Sequence, residues 1–231
     1  YKLLSSPDKI NKPDLFAKLK TTAIGRNFIH YDLIDSTNIK AKELAKDNCP
    51  HGTLIVAEKQ SGGNGRFKRA WNSPAGGLWF TLVLRPHIPT SEAPKITQIA
   101  AACIYKTFNN FNINTKIKWP NDIYLNGKKL CGILGEMNCD MDSINYLVIG
   151  IGMNLNLDIS VLDEDVQKTA TSLKDEYHKD FDRNAILAEF LNCFEMEYDK
   201  FSNNLDLKET IEICRNHSNI WGKQAKLITY N

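Results

Sequence analysis

Apolar residues recur along this 231-residue chain with two different periods, and the switches between them predict the order of elements. Phe28–Ile34 alternates apolar and polar positions, as a strand does. Thr53–Ala57 and Leu78–Leu84 are short apolar runs, read as two strands joined by a loop. Period-two alternation along the second run sends Trp79 and Phe80 to opposite sides, so at most one of them shares a surface with that loop. Pro94–Phe108 carries Ile96, Ile99, Ala100, Cys103, Ile104, Thr107 and Phe108 as one helical stripe, the mark of a core face. Lys12–Lys20 reads as a short helix, with Pro13 in its first turn. Another helix runs from Ser36–Asn38 through Ala45. Lys116–Trp119 is a short strand. Ile123–Leu125 and Lys128–Glu136 form a hairpin across Asn126-Gly127, a pair that favours a type I′ turn. Tyr146–Ile151 is a strand interrupted by Gly150, with Gly152 just beyond, and glycine in a strand often marks something passing close by. Ala170–Leu173 is a short link. Asp182 caps a long helix over Arg183–Phe201, and Leu207–Arg215 forms another. Tyr1–Ser6 reads as extended, and Trp221-Gly222 opens a last strand. Hairpin strands interspersed with helices, without a βαβ rhythm, predict an α+β fold with a mixed sheet.

Four polar clusters fall at element ends: Ser36-Thr37-Asn38, Gln60–Trp71, Lys118–Asp122 and Gly150–Asn154. Binding residues concentrate at such places. The second reads QSGGNGRFKRAW, in which glycines admit backbone N–H groups to an anion and arginines add fixed cationic forks. Taken alone, it reads first as a basic surface loop, because short glycine patterns recur by chance. Ser36 or Thr37 alone reads as an ordinary helix N-cap. Lys118 alone reads as a solvated edge residue.

Composition narrows the classes. Hydrophobic residues at 42% and charged ones at 24% are those of a globular domain. A net charge of +2 is too small to argue for nucleic acid or a lipid surface, so any positive potential is local. Six cysteines are scattered without a C-x-x-C pair, which removes zinc knuckles and thioredoxin-type sites and suits a reducing, cytoplasmic compartment. No apolar stretch is long enough to span a bilayer.

At the polar clusters the chain resembles biotin–protein ligases. IDSTN at 34–38, the Gln60–Trp71 loop, KWPNDIYLNGKKLCGILGE at 118–136, VIGIGMNLN at 148–156 and ATSL at 170–173 occur in the family's order. The resemblance covers residues 28–231 and implies a mixed sheet flanked by helices, with a small SH3-like C-terminal domain beginning at 219–231. It implies a catalytic domain over 28–218 and an N-terminal extension or linker over 1–27. The implied reaction joins biotin to ATP as biotinyl-5′-adenylate, then transfers biotin to a lysine of a biotin carboxyl carrier protein. ATP would bring Mg2+ on its phosphates, with no protein metal site. By family match, Lys118 and Arg66 are catalytic, offsetting the repulsion between carboxylate and phosphate. Ser36, Thr37, Asn38, Gln60, Gly63, Asn64, Gly65, Arg66 and Lys118 would bind biotin. Trp79, Gly132, Ile133 and Gly150 would wall its apolar part. Arg66, Arg69, Trp71, Lys118 and Asn154 would bind ATP.

The family loop commonly reads G-R-G-R-x-G-R, whereas here Asn64 replaces its first arginine and Lys68 its last glycine. The expected consequence is a looser hold on the adenylate. Asn64→Arg should therefore slow its release in a stopped assay; unchanged release would reject the idea. The N-terminal stretch is similar to the segment after a winged helix-turn-helix in members that also repress transcription, which would put DNA contact on a domain outside this chain. A homodimer is also within the family's habits. The rival readings are a lipoate or octanoate ligase of similar fold and a biotin-sensing regulator.

Overall fold

The computed structural model describes residues 8–140 and 143–224. The extended stretch expected at Tyr1–Ser6 lies outside these residues, as does most of the strand expected to open the C-terminal domain; Trp221 and Gly222 themselves lie in a turn.

One seven-stranded sheet runs in the order β1-β2-β3-β7-β6-β5-β4. Its strands are β1 Phe28–Tyr31, β2 Thr53–Ala57, β3 Leu78–Leu84, β4 Lys116–Lys118, β5 Asp122–Leu125, β6 Lys128–Cys139 and β7 Ile144–Met153. β1 and β2 are parallel, joined through helix α2 (Thr37–Lys46), and every other pairing is antiparallel. The sheet is therefore mixed, as the pattern predicts. Asn126 and Gly127 both take positive φ, at 49° and 82°, as a type I′ turn requires. β6 and β7 pair beyond the predicted ends, because Met137–Cys139 on one strand and Ile144 and Asn145 on the other continue the ladder with residues at least partly exposed, which break the apolar pattern.

Helices α3 (Pro94–Asn110) and α6 (Arg183–Asn204) cover one face, with α7 (Lys208–Asn216) packed on α3. β3 shows why its sequence is continuously apolar. Leu78, Phe80, Leu82 and Leu84 enter the main core, where Phe80 meets Phe190 edge-on at 5.4 Å. Val83 turns to the other face and packs with Ala41 and Ala45 of α2. A strand buried on both faces has no polar side to show. Trp79 also points to this second face, in a small cluster with Leu157, Ile159 and Leu162. Short helices α4 (Glu164–Gln167) and α5 (Leu173–Tyr177) follow, with Ser172 Oγ capping α5.

Helix α1 spans Lys12–Phe16, shorter than the periodicity predicts, yet Ile10, Leu15, Leu19 and Ile24 all belong to the main core. This N-terminal stretch is fastened by Arg183, only 1% exposed. Its guanidinium donates to Asp8 Oδ1 (2.7 Å), Asp8 O (2.6 Å), Glu58 Oε2 (2.8 Å) and Gly77 O (2.7 Å). Burial by itself would raise the Glu58 carboxyl, but hydrogen bonds from His30 and Arg183 outweigh it and hold Glu58 below its ordinary value. A depressed carboxylate contributes stability above its unfolded pKa and loses it as pH falls. Glu58 should accordingly weaken the fold progressively as pH drops below 4.5, its unperturbed value. Arg183→Met would leave that carboxylate buried without its cation and should cost about 3–5 kcal/mol, read as a lower urea midpoint.

Candidate active site

The second face is only partly covered by α2. Beyond the N-terminus of α2 the sheet is left bare by glycines. Across the strands, Trp79, Gly152, Gly132, Asp122 and Lys118 form one row, from β3 through β7, β6 and β5 to β4. The next row is Thr81, Gly150 and Leu134. Both glycine rows serve close approaches. A Cβ on Gly150 would stand 1.9 Å from Asn38 Oδ1, and one on Gly152 would stand 2.5 Å from Trp71 Nε1. The Trp71 indole thus lies on the Gly132–Gly152 platform and meets Trp79 edge-on at 6.4 Å. Its Nε1 is buried without a hydrogen-bond partner. The result is a cavity of about 330 Å³ on this face.

One end of the cavity is polar. Ser36, Thr37 and Asn38 open α2 there, with Gln60 beside them. Ser36 stands at the N-cap, but its hydroxyl makes no capping bond. Asn38 and Gln60 are held from within the protein. Asn38 Nδ2 donates to Glu136 and its Oδ1 accepts from Thr81. Gln60 Oε1 accepts from Thr37 N at 2.7 Å, and its Nε2 donates to Ser73 Oγ at 2.8 Å. These two amides build the pocket's shape, and Ser36 Oγ is the group left uncommitted.

The other end is cationic, lined by Arg66, Arg69 and Lys129. Arg66 Nη1 donates to Asn121 Oδ1 at 3.1 Å across the opening, tying the loop to the 118–122 turn. Lys129 Nζ sits 2.7 Å from Asp122 Oδ1 and 5.1 Å from the centre of the Trp71 ring. A β-bulge aims it there. Ile123 pairs with Cys131 and Tyr124 with Lys129, so Leu130 is the extra residue, and Leu130 and Cys131 both enter the main core. Without the bulge, alternation back from Gly132 would send Lys129 into that core. Bulges re-aim side chains in this way.

Of the residues singled out in the sequence, Ser36, Thr37, Asn38, Gln60, Asn64, Gly65, Arg66, Arg69, Trp71, Gly132, Ile133, Gly150 and Asn154 line the cavity. Ile133 belongs to the main core. Asn154 donates Nδ2 to Thr171 O, which leaves its Oδ1 for a ligand. Gly63 is spent on the loop, its carbonyl accepting from Trp71 N. Gly65 N–H donates to Arg69 O, and Asn64 Nδ2 donates to Gly62 O. Lys68, where the resemblance expects glycine, takes φ of 57°, a conformation that costs an L-residue about 1–2 kcal/mol. Trp79 is fully buried beneath Trp71, outside the lining. Lys118 also stands outside it, two strands beyond Gly132, or about 10 Å at the usual strand spacing. Its Nζ is 3.0 Å from Tyr124 Oη, and that contact raises its pKa. Lys129 is the charged lining residue that sequence reasoning missed, while Asn121 and Gly152 fall inside the polar clusters it marked without being assigned a role. Lys129 carries no periodic signal because its direction depends on the bulge, whereas Gly152 repeats the glycine-in-strand cue of Gly150. Among the described residues, no group of three or more His, Cys, Asp or Glu side chains is placed to hold a metal ion, and no helix is long and apolar enough to cross a membrane.

Residues 31–154 match the Biotin/lipoate A/B protein ligase family. The chain is 40% identical over 200 residues to the Bifunctional ligase/repressor BirA of Bacillus subtilis, covering 86% of this chain and 62% of that protein. It is 37% identical over 124 residues to the Biotin--[acetyl-CoA-carboxylase] ligase of Paracoccus denitrificans, covering 52% of this chain and 51% of that one. The structure of the biotin protein ligase from Aquifex aeolicus in complex with biotin and ATP superposes with a TM-score of 0.72 at 29% identity, over 84% of this chain and 79% of that one. The chain therefore spans about three fifths of the length of the Bacillus relative. The sheet order, the glycine-floored cavity and the matched span agree on one conclusion: the chain belongs to the Biotin/lipoate A/B protein ligase family.

Proposed function

We propose that this chain activates biotin with ATP and passes it to a lysine of a biotin carboxyl carrier domain. The observation that carries this reading is a single cavity with a polar end, a glycine floor and a cationic mouth. A cyclic urea suits Ser36 and Thr37, because its donors and acceptor find partners there. A purely apolar head, such as the dithiolane of lipoate, would leave those groups buried and unpaired, at about 1–3 kcal/mol each. The aliphatic tail of biotin fits along Gly150 and Gly132, where no side chain stands in the way. Its carboxylate then reaches the cationic mouth.

ATP would bring Mg2+ with its phosphates, where the ion would offset part of their charge. Trp71 and the Asn154 carboxamide offer a face and an edge for the base. A biotin carboxylate oxygen attacks the α-phosphorus, the bond to the bridging oxygen breaks, and pyrophosphate leaves. Both reactants are anions, so Arg66 and Lys129 hold them together and stabilise the charge that builds on the phosphoryl oxygens. Arg69 adds charge for the leaving pyrophosphate, and Lys118 serves the outer rim of the same row. In the second half-reaction the carrier lysine attacks the acyl carbon as a free amine, and AMP departs with the bonding electrons.

Titration calorimetry with biotin and with lipoate tests the reading. Biotin binding is the expected result, followed by ATP-dependent labelling of a carrier domain. Tight binding of lipoate without biotin would overturn it.

A further inference from the structure

Strand β7 ends at Met153, opposite Cys131, so its ladder stops short of Lys129 and Leu130. The segment 169–173 takes its place beside β6. Thr169 O accepts from Lys129 N at 2.8 Å, and Lys129 O accepts from Thr171 N at 3.0 Å. Asn154 N closes the bulge by donating to Leu130 O at 2.9 Å. The same segment grips Asn154. Its carbonyl accepts from Leu173 N at 3.0 Å, and its Nδ2 donates to Thr171 O at 2.9 Å. A backbone carbonyl only accepts, so Thr171 fixes the NH2 end of that amide and leaves Oδ1 as the end free for a ligand. Thr171 is 3% exposed and stands outside the cavity lining. Its hydroxyl donates to Glu176 Oε1 at 2.6 Å, one turn along α5, and Glu176 Oε2 accepts from Asn126 Nδ2 at 2.6 Å. These two bonds hold the Glu176 carboxyl below its ordinary value. One carboxylate thus ties the segment to the hairpin turn that leads into β6.

We infer that Thr171, locked by Glu176, is a positioning residue for the nucleotide end of the cavity: it sets the Asn154 amide and the Lys129 bulge together. The inference rests on the proposed function, in which Asn154 meets the base and Lys129 the phosphates of one ATP. Base and phosphates are parts of a rigidly spaced ligand, so the two groups must keep a fixed separation to bind it at once. Sequence places them 25 residues apart on different strands. Thr171 joins them through one peptide unit on either side of its Cα. Its N–H and C=O run to Lys129 and Asn154, and the hydrogen bond to Glu176 is the attachment at this residue that runs to neither. Removing it leaves Thr171 held at this point by the two groups it has to align. The polar end of the cavity, built by α2 and Gln60, shares none of these bonds.

Pyrophosphate exchange and biotin calorimetry on the full chain test this. Thr171→Val keeps the shape and the backbone bonds but deletes the hydroxyl. It should lower kcat/KM for ATP by about tenfold, while biotin affinity stays within about twofold of wild type. Thr171→Ser restores the hydroxyl and should return kcat/KM for ATP to within about twofold. In Glu176→Gln the side chain keeps one accepting oxygen for two donors, so a loss of the same kind is expected. Adding it to Thr171→Val should cost little more, because both cut the same bond. Unchanged ATP kinetics in Thr171→Val, an equal loss of biotin affinity, failure of Thr171→Ser to rescue, or fully additive losses in the double variant would each overturn the inference. If wild-type protein shows no biotin-dependent exchange with ATP, the functional reading itself falls. Normal wild-type exchange that Thr171→Val leaves intact rejects only the role of Thr171.

Discussion

Lys129→Ala should slow adenylate formation by about 10²–10³-fold, the usual effect of deleting one preorganised group at a developing negative charge. Pyrophosphate exchange measures that step without the carrier protein. The ammonium lies on the cavity wall, against Asp122 at 2.7 Å and over the Trp71 ring. A bound phosphate would compete with Asp122 for it and shift the lysine by little more than a hydrogen-bond length. Lys118 starts two strands farther out, with its Nζ on Tyr124. Lys118→Ala should therefore cost less, about tenfold or under, and mainly in KM for ATP. Equal losses from the two substitutions, or a larger one from Lys118, would show that Lys118 swings in over the substrate and would reassign the catalytic cation.

Gly150→Ala should abolish most biotin binding, with a loss on the order of 100-fold, because it dislodges Asn38 and breaks the hydrogen bonds on either side of it. A methyl placed 1.9 Å from Asn38 Oδ1 cannot be absorbed by a small adjustment. The carboxamide is held by Glu136 and Thr81, so moving it disturbs Thr37 and Gln60 as well. The strain should also lower stability by about 1–3 kcal/mol, visible in a urea titration. Gly152→Ala makes a useful contrast. Its methyl would meet Trp71 Nε1 at 2.5 Å, but Trp71 closes a loop and can shift. That variant should damage ATP use more than biotin binding. Biotin affinity that survives Gly150→Ala would show that Asn38 has no part in the pocket.

Much of this protein is written locally. The strand limits Thr53–Ala57 and Leu78–Leu84 follow from apolar runs, and the structure keeps them unchanged. The opposite directions of Trp79 and Phe80 follow from the strand period alone, and the hairpin turn follows from Asn126-Gly127. Five polar blocks in a fixed order carry the resemblance, and the match over residues 31–154 gives the same family. These features depend on neighbours in sequence, so they are legible without a fold.

What only the tertiary structure decided is which polar groups remain free and where each cation points. Ser36, Thr37, Asn38 and Gln60 look alike as candidate ligand contacts in sequence. Folding commits Asn38 to Glu136 and Thr81, ties Gln60 to Thr37 and Ser73, and leaves Ser36 Oγ without a capping role. The two lysines divide for a similar reason. Lys118 sits in the more conspicuous motif, but strand order puts it at the sheet's outer end. Lys129 looks unremarkable until a one-residue bulge at Leu130 turns it from the core side to the cavity. Register and strand order are set by pairings between distant segments, and a single extra residue reverses every direction beyond it. The sequence by itself determined the elements, the family and the chemical class of the site; cross-strand register decided which side chains form it.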